Sequence, residues 1–234
     1  MRITIILLFF VAVFSPGCKK HLLETSPFYD ISTTTAWTTD ELTDQGVTGV
    51  YAALRQSNVI GGNSMNYGSL LSPGLYAMDI FGLATQSPGW YNDLNDGSAN
   101  TATHLFTDTW SQLYEGISRA NDAIAQIPEK SPSDPRKKAR YIAECKFLRA
   151  YFYYRLNQVF QGVPVYLEPK AFDQFTQPRS SSDSVWNVII RDLSEAITED
   201  ALPLFYPAGN ENYGHITKGA AYALRGKVYM YQKK

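Results

Sequence analysis

The feature that most limits what this chain can fold into is a repeat. Trp110 and Trp186 stand 76 positions apart (186 minus 110), and the same offset relates Leu113 to Ile189, Tyr114 to Ile190, Ile117 to Leu193 and Ala120 to Ala196. Each set falls at helical spacing, with large residues at +3, +4 and +7 from the tryptophan, so each predicts one amphipathic helix. A second pair keeps the same step: Leu148-Arg149-Ala150 with Tyr153 matches Leu224-Arg225-Gly226 with Tyr229. Small, bulky and small positions recur there as Ala143, Phe147, Ala150 and as Gly219, Ala223, Gly226. Large residues on one helix facing small ones on its partner are the logic of tetratricopeptide-like hairpins, with insertions stretching the usual 34-residue period. The fold class expected is therefore mainly α: an α-α superhelix of such hairpins, with pairs over 109–160 and 180–234.

Local signals set the expected boundaries. Thr38 or Thr39 ahead of Asp40 and Glu41 caps a first helix reaching Leu54, with Leu42, Val47, Val50, Tyr51 and Leu54 toward one face. Pro128 is expected to stop the helix that starts near Trp110, and Asp134-Pro135 to open the next, where Ile142, Cys145, Leu148, Phe152 and Leu156 form the inner stripe. The third helix of the repeat follows Ser180-Ser181-Ser182 and closes near Pro203; the fourth starts at Thr217 and runs to the last residues without a terminating Gly or Pro. Trp110 and Trp186 are assigned to the repeat core, with no ligand role.

Between 56 and 108 the composition shifts to Gly, Asn, Ser and Tyr, with turn signals at Gly61-Gly62, Ser72-Pro73-Gly74, Ser87-Pro88-Gly89 and Asn95-Asp96-Gly97. A loop-rich stretch of this length is more often functional than idle. Trp90-Tyr91-Asn92 with Asp93 sits between two of those turns and combines flat apolar rings with amide and carboxylate groups, the mixture a sugar ring requires. Asp79 with Tyr76 is the second candidate. Aromatic residues make up 14% of the chain, with sixteen Tyr and four Trp, a supply sufficient for both core and ligand contact.

The N-terminus carries an address. Arg2, an apolar run from Ile3 to Phe14 and Ser15-Pro16-Gly17 lead into Cys18, the pattern of a lipoprotein signal at 1–18 whose cysteine is acylated; the run is too short to span a bilayer. Residues 19–37 then form a tether, and 38–234 the folded domain. With Cys18 acylated, Cys145 has no intrachain partner and is expected to be a buried helical thiol. A net charge of -1 without a basic tract argues against nucleic acid as a partner. The three His, at 21, 104 and 215, have no metal-ligand spacing, and neither a GxSxG nor a phosphate-cradling motif occurs. No catalytic residue, metal or cofactor is expected.

The chain resembles the SusD-like (SusD/RagB) nutrient-binding outer-membrane lipoproteins of Bacteroidetes. The resemblance rests on Trp110-Ser111-Gln112-Leu113-Tyr114-Glu115-Gly116-Ile117 with Arg119-Ala120-Asn121, on Ala143-Glu144 with Lys146 through Tyr154, on Gly162-Val163-Pro164-Val165, on Arg179-Ser180 with Val185-Trp186 and Asp192-Leu193, and on Ile216 through Ala221. It implies a helical body of four tetratricopeptide-like hairpins with an irregular ligand face, of which this chain looks like the N-terminal part. It implies binding of glycans, or in some members peptides, at the cell surface, and delivery to a SusC-like TonB-dependent transporter as partner. Lys19 and Lys20 stand where acidic residues often favour export to the outer face. A helical-repeat docking module without a small ligand of its own is the alternative.

Overall fold

In the computed structural model, the described residues are 36–56, 98, 100–101, 103–170 and 176–232. Among the described residues five α-helices succeed one another: α1 Asp40–Ala52, extended by a 3-10 turn at Ala53–Arg55, α2 His104–Lys130, α3 Pro135–Phe160, α4 Ser182–Thr198 and α5 Lys218–Tyr231. Among the described residues there is no strand, as expected for an α-α superhelix. None of the described helices is long and apolar enough to cross a membrane.

The caps form where the sequence places them. Thr39 accepts from the Leu42 amide, with Asp40 and Glu41 in the first turn of α1. Asp134 accepts from the amides of Arg136 and Lys137 with Pro135 opening α3, and Ser181 and Thr217 cap α4 and α5 through Ser184 and Ala220. Each supplies an acceptor to an amide that the helix itself leaves unpaired. Three expected boundaries are corrected: α2 starts at His104 instead of near Trp110, α4 ends at Thr198 instead of near Pro203, and Pro128 does not stop α2. Pro128 lies inside α2, which continues to Lys130: the ring removes one amide donor, but its fixed φ is itself helical and the Ser131 amide still closes on the Ile127 carbonyl.

The helices stack in sequence, α2 on α3, α3 on α4 and α4 on α5, while α1 lies across α2 and α3. The centre is α3, buried on most of its circumference: Tyr141, Cys145, Leu148, Phe152, Tyr153 and Leu156 are all inaccessible. Burial exceeds the predicted stripe because neighbours cover α3 on several sides; Ile142 is only half-buried while Tyr141 takes the inner place. Cys145 is a buried free thiol, and burial pushes its pKa far above the ordinary value, so it is an inert packing group. Gly116 permits close approach of α2 to α3, since a Cβ there would lie 2.7 Å from the Phe152 ring.

A buried polar network locks the stack. Arg149 on α3 donates from Nε and Nη2 to the two carboxylate oxygens of Asp192 on α4 (2.7 and 2.8 Å), and from Nη1 to Asn121 Oδ1 on α2 (2.8 Å) and the Leu167 carbonyl (3.0 Å). Asn121 in turn donates to the Tyr166 carbonyl at 3.0 Å, and the Tyr153 hydroxyl both donates to that carbonyl (2.8 Å) and accepts from the Tyr166 amide (2.7 Å). The connection after α3 is thereby fastened to α2 and α3. It leaves α3 through Gln161 and Gly162, both at positive φ, where a side chain on Gly162 would meet the Ser180 carbonyl at 2.5 Å.

Candidate functional site

The candidates on the loop-rich segment, Trp90, Tyr91, Asn92, Asp79 and Tyr76, lie outside the described residues, as do Cys18, the signal segment and the tether as far as residue 35. The expected tether end at 37 is corrected, because Trp37 is buried in the helical body and its indole N–H donates to Asp122 Oδ2 at 3.3 Å. The structure begins again at the downstream edge of that segment, and a recess is built there. Asn100 turns the chain into α2: its carbonyl accepts from the Thr103 amide at 3.0 Å, while the Thr103 hydroxyl accepts from the Asn100 amide at 3.1 Å. This turn sets Phe106, Thr107 and Trp110 along the first turns of α2, facing Phe160 at the end of α3. Together with Asn100 and Thr101 they line an open cavity of about 560 Å³, within the size range of small-ligand sites.

Trp110 is not the core residue its place in the repeat suggested. It is 36% exposed, whereas Trp186 is 7% exposed. The indole of Trp110 is propped edge-on by Phe160 (centroids 5.1 Å, 83°) and tilted against Tyr114 (4.9 Å), which is itself held by donation to the Pro164 carbonyl at 2.7 Å. Trp186 is enclosed between Tyr154 of the preceding hairpin (6.1 Å) and Tyr231 (6.1 Å, stacked). The difference is a cover: the preceding hairpin closes over Trp186, and Trp110 instead faces the recess. A fixed aromatic face beside amide and hydroxyl groups can pack against the C–H face of a sugar ring while neighbouring groups meet its hydroxyls. The place of the loop-rich segment next to α2 was readable in the sequence; the exposure of Trp110 was not, because periodicity does not say which copy of a repeat is left uncovered.

A second polar cluster escaped the sequence reading. Glu144 on α3, fully buried, gathers Tyr51 of α1 and His215 of the α4–α5 connection. Glu144 stood out only as part of a family motif, and His215 only as an isolated histidine. The described residues contain no group of three or more His, Cys, Asp or Glu placed to hold a metal ion.

A stack of antiparallel helix pairs with a 76-residue internal repeat, carrying an aromatic recess beside a loop-rich segment, defines a tetratricopeptide-like helical body. The chain belongs to the SusD-like family: the family model described as "Starch-binding associating with outer membrane" matches residues 23–230. It is similar to SusD-like protein P25 of Formosa agariphila, 24% identical over all of this chain and 44% of that protein. Among solved structures it is similar to a SusD-like protein of Bacteroides fragilis (TM-score 0.69, 23% identity, 89% of this chain and 38% of that one). A second is a laminarin-binding SusD-like protein (TM-score 0.66, 26% identity, 84% and 41%). The chain spans less than half the length of these relatives.

Proposed function

We propose that this protein is an outer-membrane lipoprotein, anchored through Cys18 and displayed at the cell surface, that binds oligo- or polysaccharide and delivers it to a SusC-like TonB-dependent transporter without cleaving it. The observation that carries the reading is the family match over residues 23–230, to a family described as starch-binding and associated with the outer membrane. The likeness to a laminarin-binding structure favours a glucan as ligand. In this reading Trp90, Tyr91 and Tyr76 supply apolar ring faces, Asp79 accepts from sugar hydroxyls and the Asn92 amide accepts from or donates to them; the recess at Trp110 offers an aromatic face of the same kind at the start of α2.

Calorimetry and affinity electrophoresis of the chain with laminarin and with soluble starch test this. Binding of at least one glucan is expected, weakened about fivefold by Trp90→Ala, as loss of one stacking contact of about 1 kcal/mol implies. Binding untouched by Trp90→Ala and by Tyr91→Ala discards that site assignment, and binding lost on Trp110→Ala instead moves the site to the α2 recess. Absence of binding to every glycan offered overturns the glycan reading for this chain. Metabolic labelling with a fatty acid, lost in Cys18→Ala, checks the anchor.

A further inference from the structure

The connection between α4 and α5 is fastened at its far end to two other helices through one carboxylate. Glu144 Oε2 accepts from the Tyr51 hydroxyl at 2.9 Å and meets His215 Nδ1 at 3.2 Å. The Ile216 amide donates to the same Tyr51 oxygen at 3.0 Å, and the His215 ring stands edge-on to Tyr51 with centroids 5.3 Å apart. Thr217, next along the chain, caps α5. Whatever loosens His215 therefore loosens the seat of a helix as well as a loop.

The groups around the imidazole come from three elements. From α3, Arg140 Nε lies 3.6 Å from Glu144 Oε1, and its charge acts on His215 as well. From α1, Asp44, which accepts from the Tyr141 hydroxyl at 2.8 Å, adds negative charge that acts on His215. From the connection itself, Tyr206 rests beside the Arg140 guanidinium. Lys137 and Tyr141 of α3, Asp40 and Glu41 of α1, and Glu211 of the connection line the rest of this recess, about 500 Å³. Glu144 is wholly buried, and the His215 side chain is one-third exposed, so a proton can reach the imidazole without the fold opening.

We propose that His215 and Glu144 form a pH-dependent latch, which holds the end of the 199–217 connection and the start of α5 against α1 and α3 while the imidazole is protonated and loosens when it is neutral. Imidazole is the side chain whose ordinary titration falls in the range where such a switch is useful. The hydrogen bond and charge of Glu144 raise the His215 pKa, assisted by Asp44, against burial and Arg140, which lower it. The sign follows from a folded value above the unfolded one: the stabilisation is complete below the ordinary histidine value and is lost as pH rises through the raised one.

The test titrates the chain from about pH 5 to about pH 9 by NMR, following the imidazole signal that His215→Gln removes and the exchange rate of the Ile216 amide, corrected for its intrinsic pH dependence. His215 is expected to titrate above its ordinary value, and Ile216 protection to fall with rising pH by about tenfold for each unit of that upward shift. In His215→Arg, which keeps a cation beside Glu144 throughout, the loss of protection is expected to disappear. Glu144→Gln is expected to bring the His215 midpoint down; since it also alters a buried site, His215→Arg is the deciding variant. A His215 midpoint at or below the ordinary value, or an undiminished loss of Ile216 protection in His215→Arg, overturns the latch.

Discussion

The two hairpins share one sequence pattern but not one environment. Their first helices agree along the inner face, where Leu113 and Ile189, Ile117 and Leu193, Ala120 and Ala196 are all buried, and differ at the tryptophan, exposed at Trp110 and enclosed at Trp186. Their second helices diverge. Tyr153 is inaccessible whereas its counterpart Tyr229 is 37% exposed; Phe147 is buried and Ala223 exposed; Arg149 grips Asp192 of the next helix, while Arg225 reaches only the Ser194 hydroxyl (3.1 Å) and lies over the Tyr222 ring. The first helix of a pair is buried by its own partner, and the second helix by whatever follows it in the stack. In a linear array stability is accordingly the sum of the pair and its neighbour contacts, and among the described residues the hairpin at 109–160 receives such a term from α4 packed on α3.

Replacing the two equivalent arginines breaks or sharpens this comparison most. Arg149→Ala strips a buried carboxylate, Asp192, and the Asn121 amide of their partner, and is expected to cost about 3–5 kcal/mol. Arg225→Ala removes one partly exposed bond and is expected to cost at most about 1 kcal/mol. Urea unfolding of both variants checks it; equal losses would show that the α5 face is supported as fully as α3. The tryptophans give the next contrast. Trp186→Ala empties an enclosed aromatic site and is expected to cost about 3–5 kcal/mol, whereas Trp110→Ala, at an open recess, is expected to cost about half that or less.

What the sequence made legible follows the same division. The repeat offset, the caps at Thr39, Asp134 and Thr217, and the α-α class were all readable, because capping and periodicity are local and act within one turn of helix. Residues whose state depends on a neighbour were misjudged: Trp110 looked like Trp186, Pro128 looked like a stop, and Ile142 was placed in the stripe where Tyr141 sits. Polar partners separated by scores of residues, such as Arg149 with Asp192 or Glu144 with Tyr51 and His215, gave no signal beyond membership of a motif. Pairing across a stack is set by how helices cross, and a linear pattern holds no record of the crossing. The aromatic and amide residues at 76, 79 and 90–92 lie outside the described residues, so their role stays with the binding experiment.

The finest test of the comparison removes a single oxygen from each second helix. The Tyr153 hydroxyl bonds both the carbonyl and the amide of Tyr166 in a buried setting, and burial raises its pKa well beyond the ordinary tyrosine value, so it stays a neutral donor and acceptor across the working range. Tyr153→Phe leaves those two backbone groups with one fewer partner each. Asn121 Nδ2 still reaches the Tyr166 carbonyl at 3.0 Å, so the unsatisfied group is chiefly the amide, and the expected loss is about 1–2 kcal/mol. Tyr229→Phe acts at a site open to solvent, where water replaces any lost partner, and is expected to change stability by less than about 0.5 kcal/mol. The two variants differ in chemistry by nothing and in sequence context by one repeat offset. A gap between their unfolding midpoints therefore measures what fastening the connection at Tyr166 to α3 contributes, and equal midpoints would remove that connection as a cause of the difference between the hairpins.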